Sequence, residues 1–417
     1  MKVSKIAENI IGSEIIKFAS EIQEKIKSGE KVHNLTIGDF NPKIFPIPDL
    51  LNQLIIEEYK NNETNYPPAD GIFELREAVS ALLNRKLLLK YEPNEILIAA
   101  GARPIIYSIF KALVDTNDNV IFPTPSWNNN HYTYLNGANP IIIETTPDNM
   151  FMPWADEIAP HIQSAQLLCL CSPQNPTGTM FTKYGLEKIC NLVLAENERR
   201  GKNEKPLYVM YDQIYWQLSG ERHPIDPVNI NPKMREYTIF VDGISKSLAA
   251  TGIRVGWAMG PKFIIDKMKS ILTHVGAWAP RAEQIATAKY LNGIDHYEMY
   301  VALQNIKIKK RFDGLYTGFN NLKNKGFPID IIKPQGGIYV SVKFDLKDKI
   351  KKDGTTIKTT EEIRKFLLDE AKLGIIPFYA FGSSTESNWF RISVGTLEEE
   401  DISTIIQDLR IALSQLN

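Results

Sequence analysis

Gly243-Ile244-Ser245-Lys246-Ser247-Leu248-Ala249-Ala250-Thr251-Gly252-Ile253-Arg254-Val255-Gly256 follows directly on the apolar run Tyr237–Val241. That run reads as a buried strand, so Lys246 stands just past a strand's carboxyl end, where α/β sheets place their ligands. Arg254 comes eight residues later, and nearly everything around the two cations is small or apolar. Small side chains let a ligand approach the backbone, and a glycine-lined turn offers N–H donors to an anion. A lone lysine after a strand is usually a solvated loop residue, so the weight of this segment depends on its company.

Working outward, the chain alternates short apolar runs with helix-period stretches from residue 95 on. The strand-like runs are Glu95–Ala100, Asn119–Pro123, Pro140–Glu144, Gln166–Cys171, Leu207–Tyr211, Tyr237–Val241 and Val255–Met259. Most are apolar throughout, as expected of a parallel sheet covered by helices on both faces. In Pro104–Val114, Ile105, Ile106, Ile109, Phe110 and Leu113 fall on one helical face, and Pro104 suits a first turn. Residues 1–50 carry a helix and then Asn41–Pro48, a Pro-rich passage expected to run over the surface as an extended connector. From about 296 a long charged helix leads to the strand Gly336–Val342, the lysine-rich Lys347–Lys358, a helix at Glu361–Leu373, the strand Asn388–Val394 and a helix from Leu397. Asn197–Lys205 and Lys347–Lys358 read as solvated loops. The pattern predicts an α/β fold: a three-layer large domain on a mostly parallel seven-stranded sheet, plus a smaller α+β domain. The expected division is 1–50 for an N-terminal arm and part of the small domain, 51–295 for the large domain and 296–417 for the rest of the small one.

The chain has 417 residues, 48 Lys+Arg against 49 Asp+Glu and a net charge of −1. At roughly 150 residues per domain this length predicts two or three domains. A balance so near zero leaves no footprint for nucleic acid or an anionic membrane, so any bound phosphate is expected to be small and held by a few placed groups. The three cysteines, Cys169, Cys171 and Cys190, are odd in number and read as thiols of a reducing compartment. The N-terminus lacks a continuous apolar signal core, and no run of about 18 apolar residues occurs, so a soluble cytoplasmic protein is expected. The six histidines show no metal-ligand spacing, and no metal is expected.

The segment 243–256 resembles the lysine signature of the class I pyridoxal-phosphate aminotransferases. Three further segments are similar to that family's and stand in its order. They are Ser172-Pro173-Gln174-Asn175-Pro176-Thr177-Gly178-Thr179, Tyr211-Asp212-Gln213-Ile214-Tyr215 and Phe390-Arg391-Ile392-Ser393. An Asn-Pro turn alone is a weak signal, but four segments in register are strong and span nearly the whole chain.

The resemblance implies pyridoxal 5′-phosphate as cofactor, with Lys246 as its Schiff-base lysine and proton shuttle. By the same resemblance Ser245, Arg254 and the turn Gly101-Ala102-Arg103 hold the phosphate, and Tyr66 reaches it from the second subunit of a homodimer. Trp127 covers the ring, and Tyr215 and Asn175 bind its phenolic oxygen. Asp212 fits its ring nitrogen on physical grounds too, because a carboxylate beside a pyridine nitrogen favours the protonated form. Arg391 would clamp the substrate α-carboxylate bidentately, as lysine cannot, with Gly38 offering its backbone. Tyr66, the Gly101 turn and Trp127 each have an ordinary structural explanation when taken singly.

The expected partners are a small amino acid and a 2-oxo acid, with neither nucleic acid nor membrane. Aspartate with 2-oxoglutarate is the first expectation, in a ping-pong reaction. Arg103 is the candidate for the distal carboxylate, with His274 or Arg281 assisting. Aromatic or prephenate-type transamination and a lyase of the same fold are the alternatives. A non-catalytic sensor domain would need an attached DNA-binding module, for which the segment before Gly38 is too short.

Overall fold

Strands form where the apolar runs predict them, and their register brings the chemistry-bearing residues to one edge. The computed structural model describes residues 3–10, 12, 14–220 and 222–417. A two-residue strand, β1 (His33–Asn34), comes first. It is followed by β2 (Ile96–Ala99), β3 (Asn119–Thr124), β4 (Asn139–Glu144), β5 (Ala165–Cys171), β6 (Tyr208–Asp212), β7 (Thr238–Gly243) and β8 (Gly256–Met259). The last seven make one sheet in the order β2-β8-β7-β6-β5-β3-β4. β3 to β7 pair in parallel, while β8 runs antiparallel between β2 and β7. Leu167 and Cys169 pack into one apolar layer and Leu168 and Leu170 into the other. Both faces of the sheet are therefore buried except along the edge strand β4, which is why the other strands read as continuous hydrophobic runs.

The helix Ala102–Leu113 buries Ile105, Ile106, Ile109, Phe110 and Leu113, the face its period predicts. Beyond the large sheet lie β9 (Ile329–Ile331), β10 (Tyr339–Phe344), β11 (Leu373–Gly374), β12 (Ile376–Pro377) and β13 (Trp389–Ser393). Four of them form an antiparallel sheet, β12-β13-β10-β9. Its core joins Val340, Val342, Phe390 and Ile392 to Leu35 and Phe45 from near the N-terminus, and β1 pairs in parallel with β11. The long helix Ile294–Asn324 borders this core and donates from Gln304 Nε2 to the Lys246 carbonyl at 3.1 Å.

Two expectations fail. Asn41–Pro48 is not an extended surface connector: Ile44 and Phe45 donate back to the Asn41 carbonyl in a turn and are buried. Apolar side chains flanked by prolines turn inward here because Phe45 has Arg311 to pack under, its guanidinium 5.1 Å from the ring centre. Nor is Asn197–Lys205 a solvated loop throughout. The helix Lys183–Arg200 runs into it, with Asn197 and Arg200 both buried. Arg200 donates to Glu196 at 2.6 Å and to the carbonyls of Ala165, Ile162, Gln163 and Lys205. These bonds satisfy a guanidinium that burial would otherwise penalise.

Arg200→Ala should cost about 3–5 kcal/mol, since it takes the donor from the buried Ile162 and Ala165 carbonyls and leaves Glu196 with Arg199 alone. Arg199→Ala, at a side chain 42% exposed, should cost under about 1 kcal/mol. Urea unfolding of the two variants checks the contrast; equal losses would place Arg200 among ordinary surface charges.

Candidate active site

The carboxyl ends of the parallel strands face a cavity of about 310 Å³. Its wall includes Asp212 at the end of β6, Cys171 at the end of β5, and Lys246 just past β7. The turn before Ala102–Leu113 contributes Ala102 and Arg103, and the far wall, from outside the large sheet, contributes Gly38, Tyr339 and Arg391. Trp127, Asn175, Tyr215, Ser245 and Arg254 line the same space. The structure thus gathers nearly all of the residues singled out in the sequence.

Lys246 Nζ donates to the Gly38 carbonyl at 2.7 Å. Gly38 therefore uses its carbonyl on the lysine here. Burial lowers the Lys246 pKa to about 8; the nearby guanidiniums of Arg391, Arg103 and Arg254 push the same way and Asp39 opposes them. Asp212 moves oppositely, raised to about 6 by burial despite the Ile214 N–H at 3.0 Å and the charge of Lys246. An amine held below its ordinary range and an acid above it, on one cavity wall, mark a site of proton chemistry.

Arg391 is fully buried, 4.7 Å from the Tyr339 ring centre and 4.8 Å from that of Phe381. It donates from Nη1 to Asn175 Oδ1 at 3.1 Å and from Nη2 to the Thr36 carbonyl at 2.6 Å, and its buried Nε has no partner. An arginine has only donors, so Asn175 must face it with oxygen, which frees its NH₂ group for the cavity. Arg254 donates to the Thr251 and Ala100 carbonyls at 2.7 and 2.8 Å. Gly101, with φ +84°, lies so close that a Cβ there would sit 2.4 Å from Arg254 Nη2. The turn is thus closed against the arginine that flanks it, with the N-terminus of a twelve-residue helix beside it. Arg103 stands at the rim, its guanidinium 4.9 Å from the Trp127 ring centre.

Three expected residues lie elsewhere. Tyr66 is 81% exposed and meets Trp278 edge-on in a separate depression that also holds Arg281. Arg281 Nε donates to Glu63 there at 2.5 Å. His274 is exposed near the end of the helix Lys262–Val275. Within one chain, then, neither His274 nor Arg281 meets the cavity. Conversely, Asp39, Tyr339 and Asp242 carry no motif that drew notice. Asp242, next to last in β7, accepts from Trp216 Nε1 at 2.8 Å and from the Gly243 N–H at 2.7 Å, and burial raises it to about 7. It pins the loop after Tyr215 to the strand that leads into Lys246. A charged residue ending an apolar strand was the one signal pointing to it.

Residues 30–409 match the family model for aminotransferase class I and II. The chain belongs to that family. It is 28% identical over 396 residues to an aspartate aminotransferase of Bacillus sp. strain YM-2, covering 93% of this chain and 94% of that one. It is 30% identical over 373 residues to a probable aspartate/prephenate aminotransferase of Rickettsia typhi, covering 88% and 89%. The aspartate aminotransferase structure from Rhizobium meliloti superposes with a TM-score of 0.90 at 25% identity, with full coverage of both chains. This aminotransferase uses pyridoxal phosphate, as its family does. The residues present fit that cofactor: a lysine amine held low, a buried carboxylate facing it, and a glycine turn closed on an arginine for the phosphate.

The Lys246 shift has a measurable consequence in cofactor-free protein. Its folded pKa lies below the ordinary 10.5, so the charged amine destabilises the fold at and below pH 8, and that penalty fades between 8 and 10.5. Lys246→Met should therefore stabilise cofactor-free protein by about 2 kcal/mol at pH 7, allowing for partial solvent exposure, and by much less at pH 10.5. Thermal unfolding at both pH values checks this; a gain independent of pH would refute it.

Proposed function

We propose that this aminotransferase passes the amino group of an L-amino acid, aspartate first, to 2-oxoglutarate in two half-reactions sharing one site. The observation that carries the substrate choice is a pair of arginines on one cavity: Arg391, buried with an unpartnered Nε, and Arg103 at the rim over Trp127. A dicarboxylic substrate meets both cations, a monocarboxylic one only the first. The names of the Bacillus and Rhizobium relatives point the same way. The aspartate/prephenate name of the Rickettsia relative supports a second reading, in which the same two arginines take a bulkier dicarboxylate. Failure of 2-oxoglutarate to restore the cofactor's original spectrum after an amino acid has reacted would favour a lyase instead.

Bound pyridoxal phosphate supplies an electron sink for the electron pair left at the substrate's α-carbon. Lys246 would hold the cofactor and, once displaced, carries the α-proton. At about 8 its amine is neutral in roughly a tenth of molecules at pH 7, against about one in three thousand at the ordinary value. Asp212 is the group to keep the ring nitrogen protonated, and the cation it faces would in turn draw its own pKa back down. Tyr215 and Asn175 donate toward the phenolic oxygen. Ser245, Arg254 and the Gly101–Ala102 backbone take the phosphate, and Trp127 covers the ring. Arg391 clamps the α-carboxylate beside Gly38.

Residues 51–295 thus carry the cofactor groups, while 1–50 and 296–417 bring Gly38 and Arg391. Tyr66 completes the phosphate site only in a homodimer, consistent with its 81% exposure in one chain. Three free cysteines accord with a reducing cytoplasm, and among the described residues no helix is long and apolar enough to cross a membrane.

A panel of amino acids, each scored by loss of the cofactor's resting absorbance, tests the proposal. Aspartate should react fastest, and Arg103→Leu should slow it at least about tenfold more than an apolar amino acid; equal slowing would exclude Arg103 from side-chain recognition. Arg391→Lys should raise KM about 10- to 100-fold for all amino acids alike, since the lost bidentate contact is common to them. An effect confined to one substrate contradicts that role.

A further inference from the structure

We propose that Tyr339 is a positioning residue for Tyr215: its hydroxyl donates to the Tyr215 oxygen and makes Tyr215 a stronger donor into the cavity. The proposal rests on the reading of Tyr215 as a donor to the cofactor's phenolic oxygen. The two hydroxyls are 2.8 Å apart, and the rings meet edge-on with centres 5.5 Å apart. Both side chains are buried and both line the cavity. Among the described residues neither hydroxyl has another hydrogen-bond partner. Burial raises both phenols, so each keeps its proton near neutral pH. One proton fills the shared bond and the other remains to be given.

Both rings face a cation, but the one on Tyr215, the Lys246 amine, is the farther at 5.8 Å from the ring centre. Arg391 lies over the Tyr339 ring at 4.7 Å and, against the effect of burial, makes that phenol the more acidic. The more acidic phenol donates to the more basic oxygen, which leaves the Tyr215 proton for the cavity. Tyr339 cannot swing away from this duty. Its hydroxyl sits against Gly38, where a Cβ would be only 2.7 Å away, and its carbonyl abuts Gly178, where a Cβ would be 2.1 Å away. One side chain thus touches both the wall that holds Lys246 through Gly38 and the arginine assigned to the α-carboxylate. Hydrogen bonds in series polarise one another, so a hydroxyl that accepts also donates more strongly.

A stronger donor on the phenolic oxygen stabilises its negative charge and lowers the pH at which the Lys246 nitrogen gains its proton in the loaded enzyme. That midpoint is visible in the pH titration of cofactor absorbance. Tyr339→Phe keeps the ring under Arg391 and removes only the hydroxyl. It should raise the midpoint by roughly half a unit. Tyr215→Phe should raise it further, and the double variant should match Tyr215→Phe alone, because Tyr339 acts through Tyr215. An unmoved midpoint in Tyr339→Phe, or the same shift in both backgrounds, overturns the proposal. An unmoved midpoint in Tyr215→Phe instead removes the reading of Tyr215 on which the proposal rests.

Discussion

An ammonium group enclosed with three guanidiniums is the constraint on which the site depends. Lys246 shares its cavity with Arg103, Arg254 and Arg391, against the carboxylates of Asp39 and Asp212. Desolvation alone weakens the charged amine, and the like charges weaken it further. The fold can sustain this because two of the guanidiniums are tied elsewhere, Arg254 to two backbone carbonyls and Arg391 to Asn175 and Thr36, while Arg103 lies out at the rim. Those two cations cannot relax away from the lysine, so their positive charge stays where a phosphate and a carboxylate would neutralise it. The same crowding that lowers the lysine's pKa therefore gives anionic ligands their affinity.

Such crowding needs backbones that approach closely. Gly256 on β8 leaves room for Gly101, where a Cβ would stand 2.8 Å from the Gly101 Cα. That contact sets the helix Ala102–Leu113 with its N-terminus toward Arg254. Gly178, at φ +69°, does the same for the far wall, seating the Asn175 turn on the backbone of β10. The seven-stranded sheet supplies Asp212 and Lys246, the four-stranded sheet supplies Tyr339 and Arg391, and these two glycine contacts fix each group's distance from the others.

The seven-stranded sheet was legible because its inner strands are buried on both faces, which writes an apolar run into each of them; only β4, at the edge, is largely exposed. The cavity residues were legible where a motif carries them: Lys246, Asp212, Asn175 and Arg391 stand in four spaced segments. The remainder was hidden for physical reasons. β1, β11 and β12 are two residues long, too short for any period. Arg200 sits in a charged run, and nothing local shows that four backbone carbonyls wait around it. Tyr339 looks like one more residue of a buried strand, because its neighbours Tyr215 and Arg391 are brought to it from 124 and about fifty residues away. The glycine pair before it was the available signal, since paired glycines mark a backbone that must be approached closely. Tyr66, His274 and Arg281 lie away from the cavity within one chain, and their sequence neighbourhoods carry no sign of it.

On the proposed function, the difference in burial between Arg391 and Arg103 separates what is common to all amino acids from what distinguishes them. Arg391 lies between two aromatic rings at 2% exposure with two donors already engaged, so it is preorganised for one group at one place. An α-carboxylate is the group proposed for it, present in every substrate and product of the two proposed half-reactions. Arg103 is exposed at the rim and rests on Trp127 by a face contact worth about 1 kcal/mol. So small a restraint lets the guanidinium swing away when a side chain offers no carboxylate, and return when one does. The two half-reactions proposed for this site would bring two different side chains to it in turn. A rigid clamp at one end and a lightly held one at the other meet that demand without rebuilding the cavity.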